Sequence, residues 1–482
     1  MSLPSELTPA PLWQHFAQIC AIPHPSRHEA ALITRLQAFA DAQGLSHQRD
    51  RAGNLIIRKP AYPGLERAPG VVLQSHLDMV PQKAEHSDHD FLHDPIRWRA
   101  VDGWVCATDT TLGADNGIGV AAILAVLGDP NLRHGPLEAL LTVNEEAGMD
   151  GAKGLQPGIL QGSLLLNLDS EEEGELYIGC AGGIDATATL PMERQARPLS
   201  GAILVTLGGL HGGHSGLDIH LGRGNANRLL AALLQPSVNT GAATLLAFEG
   251  GSLRNAIPRR AEALLGCSAD PHALLARLQQ RAADLTQQWT AAEPRLQIRV
   301  QPVTADERPL TQGAAERLLR AVLDCPNGVY RLDPLLDGVV ETSSNLARVV
   351  LGADHAELQC LVRSAREPDR DELCQTIATR LAPLEATLHC DGAYPGWTPN
   401  PASPLLATLE AAHRQCFGHA AKIKVIHAGL ECGILAAAYP HWEMISFGPT
   451  IRFPHSPSEK VEIASVARFW DYLCAVLARL AG

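Results

Sequence analysis

Several short segments of the 482-residue chain place metal-ligating or acid–base side chains directly after apolar runs. His76 and Asp78 follow Val71-Val-Leu-Gln-Ser75. Asp115 stands in Leu112-Gly-Ala-Asp-Asn-Gly-Ile-Gly119, just ahead of an apolar stretch. Glu145 and Glu146 close Leu140-Leu-Thr-Val-Asn144, Asp169 closes Leu164-Leu-Leu-Asn-Leu168, and His455 comes soon after the run ending at Phe447. A histidine with a carboxylate two positions on is a ligand whose second ring nitrogen can be oriented by its neighbour. Adjacent carboxylates at a strand end repel each other unless cations sit there; one can bind metal while the other stays free to move protons. One shared carboxylate, plus a histidine and a carboxylate for each of two ions, makes a carboxylate-bridged pair. Mixed N/O donors suit zinc, cobalt or manganese, and two such ions about 3.5–4 Å apart form a water-activating hydrolytic site.

The flanking elements must bring these residues together. Apolar runs of strand length at Asn54–Arg58, Val71–Gln74, Leu137–Val143 and Leu164–Leu168 alternate with helical patterns at Arg27–Gly44 and Asn116–Leu127. That alternation predicts an α/β domain with a buried sheet, whose strand carboxyl ends are where sites are built. From about Ala202 to Ala393 the pattern becomes α+β: strands at Ile203–Leu207, Ala243–Ala247, Ala263–Cys267 and Leu296–Val300, with helices at Asn225–Leu234 and Pro271–Gln288. A similar set follows from Ala314 to Cys390, so two α+β units in tandem are expected. The turn-rich stretch Asp391–Pro401 reads as a boundary. The expected organisation is a first catalytic part over 1–195, an inserted domain over 196–395 and a second catalytic part over 396–482.

Composition excludes other classes. Lys plus Arg number 39 against 52 Asp plus Glu, a net charge of −13, which disfavours nucleic acid and anionic membrane surfaces as partners. The longest apolar run, Val120–Leu127, is far short of the roughly 20 residues of a membrane span. The N-terminus lacks a secretory pattern, and 11 scattered cysteines fit free thiols in a reducing cytosol, so a cytoplasmic location is expected. No G-x-S-x-G elbow or phosphate-binding glycine motif occurs.

The order HLDMV, LGADNGIG, NEEAGM, LDSEEEGE and a late histidine, with GGHSGLDIHLGRGNAN, GGSLRNAIP and HAGLECGIL between, resembles the M20 family of di-zinc peptidases, in particular its M20C branch of dipeptidases. The resemblance runs along essentially the whole chain. It implies an α/β catalytic domain with a mixed sheet and an inserted α+β lid. It further implies that His76, Asp115 and Asp169 hold one zinc, and that Asp115, Glu146 and His455 hold the other, with cobalt or manganese as substitutes. Asp78 would orient His76, and Glu145 would be the general base. The Asp115–Asn116 peptide would be cis. His220 would reach from the lid to the oxyanion, Asn255 and Arg363 would hold the substrate, and Glu431 would face its amino end. The implied reaction is hydrolysis of dipeptides, Xaa-His and β-Ala-His included. An N-acyl amino acid amidase and a non-catalytic metal- or peptide-binding protein are the alternatives; a carboxylate beside Glu146 favours the enzyme.

In smaller members of the family the lid histidine comes from a partner subunit. Here the insertion, about 190 residues, is long enough for two lid units of small-domain size. One chain is therefore expected to carry both halves of a lid, with hinges near Ala196–Gly201 and Ala393–Pro399. A homodimer is then compatible with the site but not needed to complete it.

Overall fold

A computed structural model describes residues 7–482 and divides into two compact units. The first runs to Cys180 and resumes over Trp397–Val425 and Leu430–Gly482. Its main sheet has eight strands in the spatial order Ser46–Arg49, Leu55–Lys59, Leu137–Thr142, Val71–His76, Leu164–Asn167, Glu443–Ser446, Glu175–Cys180 and Lys422–Ile426. The middle is parallel: Val71–His76 lies between Leu137–Thr142 and Leu164–Asn167, and Glu443–Ser446 continues in the same direction. The flanks are antiparallel, so the sheet is mixed, as expected.

Every residue of Val71–His76 and Leu137–Thr142 is buried, the condition of a parallel strand covered on both faces. The helix Ala114–Gly128 is apolar on nearly all sides and correspondingly buried. Gly119 lets it pack closely: a Cβ there would stand 2.4 Å from Ser75 Oγ and 2.5 Å from the Leu168 carbonyl oxygen. A separate four-stranded antiparallel sheet includes the hairpin Trp98–Val101 and Trp104–Ala107, whose short, half-exposed strands carry little apolar periodicity.

The second unit is Ala181–Gly396 with Ile426–Gly429. It begins earlier than the expected residue 196 because Gly182–Pro191 is a strand paired with His355–Ser364 and Thr387–Tyr394. The first chain crossing is therefore at 180–181 rather than near Ala196–Gly201, while the second, at 396–397, lies within the expected Ala393–Pro399.

The unit contains a strand–helix–strand–strand–helix–strand motif twice. One copy is Gly201–Gly208, Ala226–Asn239, Ala243–Gly250, Ala261–Cys267, Pro271–Trp289 and Gln297–Val303. The other is Gly182–Pro191, Gln312–Asp324, Val340–Leu351, His355–Ser364, Glu367–Leu381 and Thr387–Tyr394. In each, the strands lie in the order fourth, first, third, second. The second strands of the two copies meet antiparallel, Glu249 opposite Val350 and Gly250 opposite Val349, which makes one continuous sheet. The copies are nested rather than in tandem, since the outer one supplies its first strand before the inner one starts. Leu230, Leu234 and Phe248 of the inner copy share a buried core with Leu318, Leu319 and Leu358 of the outer.

Candidate active site and metal centre

The candidate ligands lie where the parallel strands of the first unit end. His76 is the last residue of its strand, Glu145 and Glu146 follow Leu137–Thr142, and Asp169 follows Leu164–Asn167. His76 Nε2 stands 3.1 Å from Asp115 Oδ1 and 3.4 Å from Asp169 Oδ1. His455 Nε2 stands 3.2 Å from Asp115 Oδ2 and 3.0 Å from Glu146 Oε1. His76, Asp115 and Asp169 thus form one cluster able to hold an ion, and Asp115, Glu146 and His455 form another. Asp115 offers a different oxygen to each.

The donor set fits two divalent cations. Ligand atoms about 2.0–2.1 Å from a tetrahedral zinc stand about 3.3–3.5 Å from one another, close to the spacings here. The charges agree. Burial, opposed by His76 and reinforced by Asp115 and Glu146, pushes Asp169 up to about 6. Hydrogen bonding to Asp115 and Glu146 pushes His455 up to about 11. As protein alone, the cluster keeps protons to balance its carboxylates; two cations satisfy the same charges.

Supporting contacts orient these groups. Asp78 accepts hydrogen bonds from Glu145 N at 2.9 Å, Glu146 N at 3.1 Å and Ser26 Oγ at 2.7 Å. Its Oδ1 lies 3.5 Å from His76 Nδ1, whose nearer partner is the Asp78 carbonyl oxygen at 3.0 Å. Burial alone would raise the Asp78 carboxyl, but His76, Ser26 and the Glu145 amide outweigh it and hold it at about 2. The Asp115–Asn116 peptide is cis, and Asn116 Nδ2 donates to Asp169 Oδ1. Glu145 is raised well above the carboxylate range, by burial first and then by Asp169, Glu431 and Glu146, against the pull of His76.

Glu459 was not among the expected residues. Its buried carboxylate accepts from the amides of Leu112 (2.7 Å), Gly113 (3.1 Å), Ala114 (2.8 Å) and Asp115 (3.3 Å). Gly113, at φ +71°, permits the turn that points these amides one way. The available signal was a glutamate four residues after His455, which is weak without the fold.

Glu431 is held inside the first unit. It is 0% exposed, and its Oε2 accepts from Gln74 Nε2 at 2.6 Å and Thr142 Oγ1 at 2.7 Å. Its Oε1 is buried without a hydrogen-bond partner among the described residues, so one oxygen is tied to the sheet and the other is not.

In the second unit, Arg363 is 4% exposed. It donates to Tyr394 Oη at 2.8 Å and to Ser215 Oγ at 3.4 Å, and it forms no ion pair with a described carboxylate. Ser215 N donates to the Asn255 carbonyl oxygen at 2.8 Å, so Asn255, itself exposed, joins the same neighbourhood. His214, not expected, adjoins it. Its Nδ1 accepts from Gly216 N and Leu217 N, which leaves Nε2 as the donor, and burial followed by Arg363 pushes its imidazole down to about 4. His220 is exposed on the short 3₁₀ turn Ile219–Leu221. The signal for His214 was its place in GGHSG, among glycines that let a backbone approach closely.

The profile described as Peptidase family M20/M25/M40 matches residues 72–479. The chain is 45% identical over 480 residues to cytosol non-specific dipeptidase of Escherichia coli (strain K12), covering 99% of each. It superposes on the crystal structure of aminoacylhistidine dipeptidase from Vibrio alginolyticus with a TM-score of 0.92 at 46% identity, covering 99% of this chain and 98% of that one. Aminopeptidase PepT from Bacillus cereus shares the fold at a TM-score of 0.64 and 16% identity, over 99% and 100% of the two chains. Among the described residues no helix is long and apolar enough to cross a membrane.

Proposed function

Because the chain belongs to the M20/M25/M40 peptidase family, we propose that it is a metal-dependent dipeptidase of the cytoplasm, with Xaa-His dipeptides among its substrates. The observation that carries this reading is the pair of ligand clusters sharing Asp115, with Glu145 beside them; Glu145 also falls in a third possible group with His76 and Glu146, but that group does not include the shared Asp115. His76, Asp115 and Asp169 would hold one ion, and Asp115, Glu146 and His455 the other, most simply zinc. Two such ions, when bound, lower the pKa of water and polarise a carbonyl. Glu145 takes the proton from the attacking water and returns it to the leaving amine. Asp78 fixes the Glu145–Glu146 backbone and the ring of His76. Arg363 holds the substrate carboxylate, which a guanidinium fork matches bidentately, with Asn255 alongside.

The oxyanion donor expected from sequence is His220. The position of His214 beside Arg363, with Nε2 left as donor, favours His214 as a second candidate. The nested repeat supports delivery of this histidine within one chain, because both copies of the lid motif belong to the same polypeptide. Mixing Glu145→Gln chains with chains lacking the lid histidine tests this: mixed dimers should stay inactive, and recovered activity would mean that the histidine crosses between subunits.

The function is tested with β-Ala-His, Gly-His, Leu-Gly, a tripeptide and an N-acyl amino acid, each with and without chelator. Dipeptide hydrolysis that chelation abolishes and zinc, cobalt or manganese restores is the expected result. Preference for the N-acyl substrate would move the assignment to an amidase, and full activity in metal-free protein would remove the mechanism.

A further inference from the structure

Glu459 makes an unusual set of contacts for a buried carboxylate. Both oxygens are occupied by main-chain donors, and all four donors belong to the consecutive residues Leu112–Asp115. Those amides lead into the helix Ala114–Gly128, whose first turn carries Asp115. Glu459 lies four residues after His455, and its own amide donates to the Ser456 carbonyl oxygen at 2.9 Å, which closes the His455 loop on itself. One side chain thus ties the backbone of the shared ligand to the loop bearing the other cluster's histidine. The first cluster has independent support: Asn116 Nδ2 bonds Asp169, and Asp78 braces His76. Among the described residues, no hydrogen bond other than those of Glu459 and the ligand contacts themselves joins the His455 loop to Asp115.

We propose that Glu459 is a positioning residue that sets the two oxygens of Asp115 between the clusters, and that the ion of the Asp115–Glu146–His455 cluster depends on it. The inference rests on reading the site as a two-metal centre, but its test needs no substrate, so it can fail independently of the dipeptidase assignment. Glu138 is the control. It is likewise buried and accepts from the amides of Gln161 at 2.7 Å and Gly162 at 2.8 Å, with Arg58 Nε at 3.0 Å, but none of its partners is a ligand.

Metal content and zinc titration of the purified holoenzyme should give two ions per chain in the wild type and in Glu138→Gln. Glu459→Gln has the same shape, but its amide nitrogen cannot accept. It should fall towards one ion, with the weaker ion bound about 10–100-fold less tightly, the range seen when a ligand's supporting partner is lost. kcat should fall with KM little changed. Melting with and without chelator separates a ligand-positioning role from a general one. Ions that bind only the folded state stabilise it, so the metal-linked rise in Tm should shrink in Glu459→Gln. Two ions at wild-type affinity, or an equal loss of Tm with and without chelator, would overturn the proposal. If Glu459→Gln yields no folded protein, Glu459→Asp, which keeps the charge and shortens the reach, goes through the same titration: a weakened second ion supports the proposal and wild-type affinity overturns it.

Discussion

The two units answer opposite chemical questions. The first gathers Asp115, Glu145, Glu146 and Asp169 around two histidines, an excess of negative charge that calls for cations. The second buries Arg363 against a tyrosine, a serine and a histidine, with no ion-paired carboxylate among the described residues, although Asp185 acts on it electrostatically. Burying an uncompensated charge costs several kcal/mol, and the two regions differ in the sign of charge each concentrates. They differ in construction as well. The acidic cluster stands on the ends of buried parallel strands, whereas the basic one stands on an antiparallel sheet and on a loop kept narrow by glycine. A Cβ on Gly216 would come within 1.8 Å of the His427 carbonyl oxygen.

The largest effect should come from separating charge from chemistry in the acidic cluster. Glu145→Gln should keep both ions and lose about 10²–10⁴-fold in kcat, the range for a general base. Glu146→Gln should weaken metal binding instead. Equal metal loss in the two variants would erase the distinction between them. Next comes the lid histidine. Removing the oxyanion donor should cost about 10²–10³-fold in kcat, so His214→Ala and His220→Ala measured side by side identify it by which one collapses.

Arg363→Met should lower kcat/KM for dipeptides about 10–100-fold, as expected for losing a hydrogen bond to a charged group. Dipeptide amides should be poor substrates of the wild type and indifferent to the substitution. An undiminished rate on amides would break the idea of an anion-seeking pocket. The smallest effect concerns pH. His427, whose Nε2 pairs with Ser343 Oγ at 2.7 Å, is pushed down to about 3, and His214 to about 4, in both by burial first and Arg363 second. A histidine with a depressed folded-state pKa contributes stability that is complete above its ordinary 6.5 and is lost as pH falls through the folded value. Raised buried carboxyls such as Asp169 shift Tm the opposite way, so the readout is the difference between proteins: in chelator, Tm of His427→Gln relative to the wild type should rise as pH falls from 6.5 towards 3.

The acidic cluster was legible because His76, Glu145, Glu146 and Asp169 close apolar runs, where a strand end is visible in the run that precedes it, and Asp115 opens one. The nested repeat of the second unit was not. Its outer copy depends on Gly182–Pro191 and Val340–Leu351, and the second begins Val-Glu-Thr-Ser-Ser-Asn, polar residues that read as a loop although all of them are buried in the centre of a sheet. Without those strands the two motifs look consecutive. Glu431 and Glu459 show the same limit at the scale of one side chain. Each is a glutamate near a recognisable segment, and only its surroundings decide whether it meets a substrate, braces a sheet or grips a loop.

Residue type and local pattern were enough to mark His76, Asp115, Glu145, Glu146, Asp169 and His455 as candidates and to expect a buried sheet beneath them, because hydrophobic periodicity and strand ends are local properties; the division of roles among them came from the family resemblance. The tertiary structure alone decided that Asp115 gives one oxygen to each histidine, that Glu459 holds the amides of Leu112–Asp115, that Arg363 and His214 share a neighbourhood, and that one repeat of the second unit lies inside the other. Each of these depends on contacts between residues tens to hundreds of positions apart, where sequence spacing carries no distance.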